Sequence, residues 1–202
     1  MKRPLLFATA ILLLSFVSPT DTISKKEKKS ATTLLKDTEK GVFASVKGLS
    51  AAQLSYKPAA DKWSVEDCLK HIAVTEKALW ELTEKQIKAA ANPEARSEIK
   101  ASDDQVVHMI ESRAQKVKTF KPFEPENTPY KSAEEALASF KENREKLIKY
   151  VNETTEDLRN HVIDFPAGKF DSYQMILFIA AHSNRHTQQI EEVKASEGFP
   201  KN

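Results

Sequence analysis

The feature that most limits how this chain can fold is the run Ser172–Lys194, in which Met175, Ile179, His182, His186, Ile190 and Val193 recur at steps of three and four residues. Such steps return to one face of an α-helix, so these six side chains form a stripe that other helices must cover. Two imidazoles stand in it where aliphatic side chains are expected. One histidine on an apolar face needs a single hydrogen bond and is ordinary core. Two that are four residues apart can also aim at one shared point, as ligands of a divalent metal do. Spacing leaves both readings open, and a third ligand has to come from elsewhere in the chain.

The rest of the sequence supplies partners of the same kind. Glycine occurs only four times, alanine, lysine and glutamate are plentiful, and no segment alternates polar and apolar residues for long, so the class is all-α. Leu35, Thr38, Val42, Phe43 and Val46 predict a first helix from about Thr32, stopped by Gly48. Leu49 to Trp63 reads as a loop containing Pro58. Ser64 and Asp67 can close a capping box that opens a second helix running to about Ala90, with Val65, Leu69, Ile72, Leu79 and Ile87 inward. His71 falls at the margin of that face, roughly 100° from its centre by helical counting, so spacing does not select it as a ligand.

Pro93 to Pro129 is predicted as an irregular insert, with a short helix from Asp103 to about Glu111 and an extended, proline-interrupted stretch from Lys121 to Pro125. A connection of this length covers a site or forms a mobile insert. Ser132 and Glu135 open a third helix whose stripe is Leu137, Phe140, Arg144, Leu147, Ile148 and Val151, and Glu153–Lys169 is read as a connecting segment. Asp171 and Gln174 then frame the start of the last helix. Glu76 on the second helix and Arg144 on the third each interrupt an inward stripe. A lone charge there is costly, so the two are expected to pair across the bundle, the alternative being that both reach out to solvent.

The chain begins Met1-Lys2-Arg3-Pro4, followed by an apolar run from Leu5 to Val17. A basic start and an apolar stretch too short to span a bilayer fit a secretory signal peptide over residues 1–20, the alternative being an uncleaved interfacial anchor. The Lys- and Ser-rich residues 21–31 are expected to form a flexible tether, and residues 32–202 the domain. Loss of Lys2 and Arg3 takes the formal net charge from +2 to zero, which gives no overall drive toward nucleic acid or an anionic membrane, and no stable membrane insertion is expected after processing. Cys68 is the single cysteine, so an exported chain has no internal disulfide and no cysteine-rich zinc site.

The stretch His182-Ser183-Asn184-Arg185-His186-Thr187-Gln188-Gln189-Ile190 resembles the last helix of the DinB-like superfamily, which includes the YfiT-like metal-dependent hydrolases and the bacillithiol and mycothiol transferases. Leu49-Ser50, Gln53-Leu54, Pro58 and Lys62-Trp63-Ser64 look like that family's loop into the second helix, and Cys68-Leu69-Lys70-His71-Ile72 like its first ligand segment. Phe140 with Arg144 resembles its third helix, and the more loosely matching Arg113–Pro125 its basic, proline-containing connection. The resemblance covers roughly residues 32 to 195. It implies a four-helix bundle of DinB/YfiT-like type, a ligand triad of His71, His182 and His186, and a bundle that can form homodimers. His108 and His161 have no matching role.

Three neutral imidazoles leave a divalent ion its full charge and an open position, zinc being the default and nickel acceptable to the same ligands. A zincin carries its Glu base directly after the first histidine, whereas His182 is followed by Ser183, which argues against a conventional metalloprotease. Gln189 and Arg185 are candidates for supporting the ligands or touching substrate. Trp63 flanks the entrance or anchors the core, and Cys68 is read as a small buried hydrophobe. The expectation is an exported metal-dependent hydrolase or thiol transferase acting on a small molecule. Hydrolysis is preferred because export separates the chain from cytosolic thiols. A non-catalytic metal-binding or stress-associated bundle is the alternative from another class.

Overall fold

The computed structural model describes residues 23–201; the expected signal peptide, residues 1–20, lies outside them. Four long helices make the bundle: α1 (Lys25–Val46), α3 (Val65–Ile87), α5 (Ala133–Glu153) and α6 (Ser172–Lys194). Between them lie the short α2 (Ala51–Ser55), α4 (Asp103–Glu111) and an antiparallel hairpin of β1 (Val162–Phe165) and β2 (Gly168–Asp171). α1 and α3 each pack against both α5 and α6, and α4 lies against α6. α6 is the most enclosed element, buried from Ser172 through Ala181 on every side. This explains why its first half is apolar all round whereas α1 and α5 carry charged outer faces.

α1 begins earlier than the periodicity predicted, and residues 25–31 are helix, not tether. Ser24 accepts a hydrogen bond from the Glu27 amide while the Glu27 carboxylate accepts from the Ser24 amide, so the first turn is closed by a capping box. Lys25, Lys26 and Lys29 are exposed, the half-buried Lys28 donates to the Thr154 carbonyl, and Ala31, Thr32 and Leu35 face in. Arg159 fixes the end of α1 to the rest, pairing with Glu27, Asp103 and Asp171 and lying 4.1 Å over the Tyr173 ring. Composition hid the start of this helix because it is held by a capping pair and by distant groups, Arg159, Tyr173 and the Thr154 carbonyl.

Two further segments differ from the loops expected. Ser50 and Gln53 cap the single turn of α2, and the connection Glu153–Lys169 contains the hairpin, paired from Val162 with Asp171 to Phe165 with Gly168. Its strands of four residues are too short to show alternation. The hairpin covers the start of α6: Ile163 and Phe170 pack with Met175 and Phe178, and Asp171 is at once the last strand residue and the N-cap of α6. Phase is thereby set for every side chain that follows on α6.

Candidate metal centre

Arg144 organises the bundle's middle. Its guanidinium is fully buried and all five of its N–H groups are used: two on the Glu76 carboxylate at 2.6 and 2.7 Å, two on the Leu35 carbonyl and the Thr38 hydroxyl at 2.7 Å, and one on the Ser183 hydroxyl at 2.9 Å. One side chain of α5 thus holds α1, α3 and α6. The two charges expected to pair do so in a bidentate bridge. Ser183, at the position of a zincin's glutamate, turns to Arg144 and donates to the Ala180 carbonyl, away from the histidine stripe. Glu76 follows Thr75, and Ser183 follows His182, so the bridge fixes the register between the helices that carry the site.

His71 of α3 and His182 and His186 of α6 come together there. Their ligating atoms all lie within 4.8 Å of one another, and the ring centroids are 4.5 to 5.2 Å apart. Each Nδ1 has an oxygen to donate to: for His71 the Phe123 carbonyl at 2.8 Å, for His186 the Gln189 amide oxygen at 3.0 Å, and for His182 the Thr75 hydroxyl at 3.4 Å. Thr75 spends its own proton on the His71 carbonyl at 2.6 Å, which leaves its oxygen to accept. Gln189 must present oxygen to His186 because Arg113 donates to the same atom. The three Nδ1 atoms therefore carry the protons and the three Nε2 lone pairs are free.

The lone pairs meet: His182 Nε2 and His186 Nε2 are 3.2 Å apart. Two unprotonated nitrogens at that distance repel unless a cation stands between them. Two nitrogens bound to one zinc at 2.0–2.1 Å in tetrahedral geometry are separated by roughly 3.3 Å. The donor set thus fits a divalent ion. Burial pushes the pKa of His71 down to about 4 against the opposing hydrogen bond to Phe123, and those of His182 and His186 well below the ordinary imidazole value. Mutual repulsion among the rings adds to the effect at His182 and His186. The rings stay neutral and ready to ligate at pH 7.

The surroundings refine the expectations from sequence. His71 is buried although periodicity placed it at a margin, because Trp63 and the insert cover it: the Trp63 ring is 4.8 Å from His71 and 5.9 Å from His186, nearly parallel to the latter. Gln189 holds His186, whereas Arg185 turns to the insert and donates to the Gln115 carbonyl at 2.7 Å. Arg113 reaches back from the insert to Glu192 and Gln189, so the segment Ser112–Phe123 is strapped across the histidines. Thr75 and Phe123 were not singled out from sequence. Phe123 contributes only a backbone carbonyl, and no residue type signals that. Thr75 lies four residues after His71, the spacing that makes neighbours on a helix, and this was the available clue. His161 donates its Nδ1–H to the Gln86 carbonyl at 2.9 Å and is packing; His108 is exposed. Cys68 is fully buried and burial pushes its thiol up, so it is no nucleophile.

Known proteins of this shape carry the comparison further. YuaE of Bacillus subtilis (strain 168), an uncharacterized protein, is 25% identical over 150 residues, which is 74% of this chain and 88% of that protein. The solved structure of YfiT from Bacillus subtilis, described as a probable metal-dependent hydrolase with an unusual four-helix bundle topology, superposes with a TM-score of 0.59 at 16% identity over 91% of this chain and 94% of that one. At that identity the likeness speaks for the fold. The sequence model of the DinB superfamily matches residues 34–190, most of the bundle and all three histidines, and the chain belongs to that superfamily.

Proposed function

We propose that His71, His182 and His186 hold a divalent metal, zinc in the first instance and nickel as the alternative, and that the protein is a metal-dependent hydrolase of small molecules. The observation that carries this is the orientation of the imidazoles: every Nδ1 is turned to an oxygen, which leaves every Nε2 lone pair free, and one ligating nitrogen from each ring lies within 4.8 Å of the others. A divalent ion on three neutral imidazoles supplies Lewis acidity that lowers the pKa of water or a thiol toward neutrality. The chain's own contribution is to hold the rings neutral, fix their tautomers through Phe123, Thr75 and Gln189, and shelter them under Trp63 and the strap. The description of YfiT as a probable metal-dependent hydrolase supports the reaction class. Export, proposed from the basic and apolar start of the sequence, favours hydrolysis over transfer to a cytosolic thiol.

One observation favours the second reading, a metal-binding bundle without turnover. Among the described residues the histidine cluster includes no carboxylate, and the nearby Glu76 is spent on Arg144, so that acid is not free as a proton acceptor. Elemental analysis of the purified protein beside His182→Ala, followed by a screen of esters, amides and thiol conjugates, separates the two. Metal and turnover lost together in the variant support the hydrolase. Metal with no turnover leaves the binding protein. No metal in the unaltered protein overturns both.

A further inference from the structure

The most exposed large apolar side chains among the described residues are Val117, 77% exposed, and Phe120, 60% exposed. Both lie in the strap Ser112–Phe123, whose sequence is Ser-Arg-Ala-Gln-Lys-Val-Lys-Thr-Phe-Lys-Pro-Phe. Four of these residues are basic and none is acidic, in a chain whose overall charge is close to balance. Lys116, Lys118 and Lys121 are all exposed, and among the described residues none of them makes a salt bridge. Some lysines on the helices do otherwise, as Lys70 with Glu66, Lys77 with Glu81 and Lys146 with Glu142 show, so the strap is set apart by its apolar tip as much as by its lysines. The strap is therefore a local segregation of positive charge and apolar surface that the net charge conceals.

Its ends are held and its tip is free. Arg113 grips Glu192 and Gln189, the Gln115 carbonyl accepts from Arg185, and the Phe123 carbonyl accepts from His71, while residues 116–118 and 120 project. An aliphatic and an aromatic side chain at the crest of a fixed loop, flanked by lysines, match an anionic lipid surface in two ways. The apolar pair enters the headgroup boundary, and the ammonium groups stay at the level of the lipid phosphates. A soluble acidic partner would be met by the lysines but gives no reason for a bare Phe120 beside them. No helix of the described residues is long and apolar enough to cross a bilayer, so such a contact is peripheral.

We propose that the strap Ser112–Phe123 is a docking surface for an anionic membrane, with Val117 and Phe120 entering the interface and Lys116, Lys118 and Lys121 paired to lipid phosphates. This does not depend on the metal centre. It does place the histidines directly behind the docked loop, since Phe123 and Arg113 touch His71 and the Gln189 support of His186.

The test is co-sedimentation of the full chain with phosphatidylcholine vesicles, with and without about one-third phosphatidylglycerol, over a salt series. Binding that requires phosphatidylglycerol and weakens with salt is expected, because surface charges are screened beyond about 8 Å at physiological ionic strength. Lys116→Gln/Lys118→Gln/Lys121→Gln is expected to weaken it roughly 100-fold, as the loss of three surface lysines should. Val117→Ser/Phe120→Ser is expected to remove the part that survives high salt. These positions are exposed, so melting curves should be unchanged. A control variant, Lys25→Gln/Lys26→Gln/Lys29→Gln, reports on the other basic surface, at the start of α1. Loss of binding in the control with the strap intact, equal binding to uncharged vesicles, or binding untouched by either strap variant overturns the proposal. So does a change in oligomeric size with Phe120→Ser and no change in vesicle binding, which would make the strap a contact between copies of the chain.

Discussion

At the scale of single residues, the centre depends on which nitrogen of each ring carries the proton. Thr75, Gln189 and the Phe123 carbonyl decide this. Thr75→Val keeps shape and removes the acceptor from His182, so metal affinity should fall about 10- to 100-fold in a chelator competition while the fold persists. Acid should act on the same rings. They are neutral when folded, with His71 brought down to about 4 by burial, but take up protons near 6.5 once unfolded, so the unfolded chain binds more protons in between. The stability tied to a neutral His71 is complete above pH 6.5 and is lost as the pH falls toward 4, and His182 and His186, lowered by the same burial, add to the loss in the same direction. Urea denaturation of the metal-free protein at stepped pH checks this, and His71→Phe should flatten the dependence. Of the three ligand candidates the stripe on α6 made His182 and His186 legible. His71 was reached by family resemblance alone, since its burial comes from Trp63 and the strap and not from its own helix.

At the scale of the elements, capping boxes tell where the helices start. Ser64 with Asp67 and Asp171 with Gln174 were legible, and the structure adds Ser24 with Glu27 to α1. Ser24→Ala should cost about 1 kcal/mol and speed amide exchange over residues 25–31, whereas a tether would show fast exchange with or without the change. The hairpin escaped the sequence because each strand is four residues long and is stabilised by the α6 start it covers. Pairing between α3 and α5 was readable, because Glu76 and Arg144 each break an inward stripe. What could not be read is that Arg144 also serves Leu35, Thr38 and Ser183. Arg144→Met leaves Glu76 buried without its partner and should cost about 3–5 kcal/mol, with much of that recovered in Glu76→Leu/Arg144→Met, by urea denaturation.

At the scale of the molecule, two guanidiniums tie the parts together at different depths. Arg144 is a buried hub at the centre of the bundle, and Arg159 is a partly exposed one at the end where α1, α4 and the hairpin meet. Arg159→Ala leaves the buried Asp171 and the carboxylates of Glu27 and Asp103 facing one another and should cost on the order of 3 kcal/mol in urea denaturation. Because the histidines lie beyond α6's first half, metal affinity at neutral pH should change much less in Arg159→Ala than in Arg144→Met, which a metal titration of both variants would show.

Helix positions, the inward stripes, the paired charges and the two histidines of α6 were determined by sequence, because periodicity and capping act between residues a few positions apart. The hairpin, the third histidine's burial, the tautomer of every ring and the exposure of Val117 and Phe120 on the strap were decided only by tertiary structure. Each of these depends on groups far apart in the chain, often on a backbone carbonyl, and local order carries no record of them.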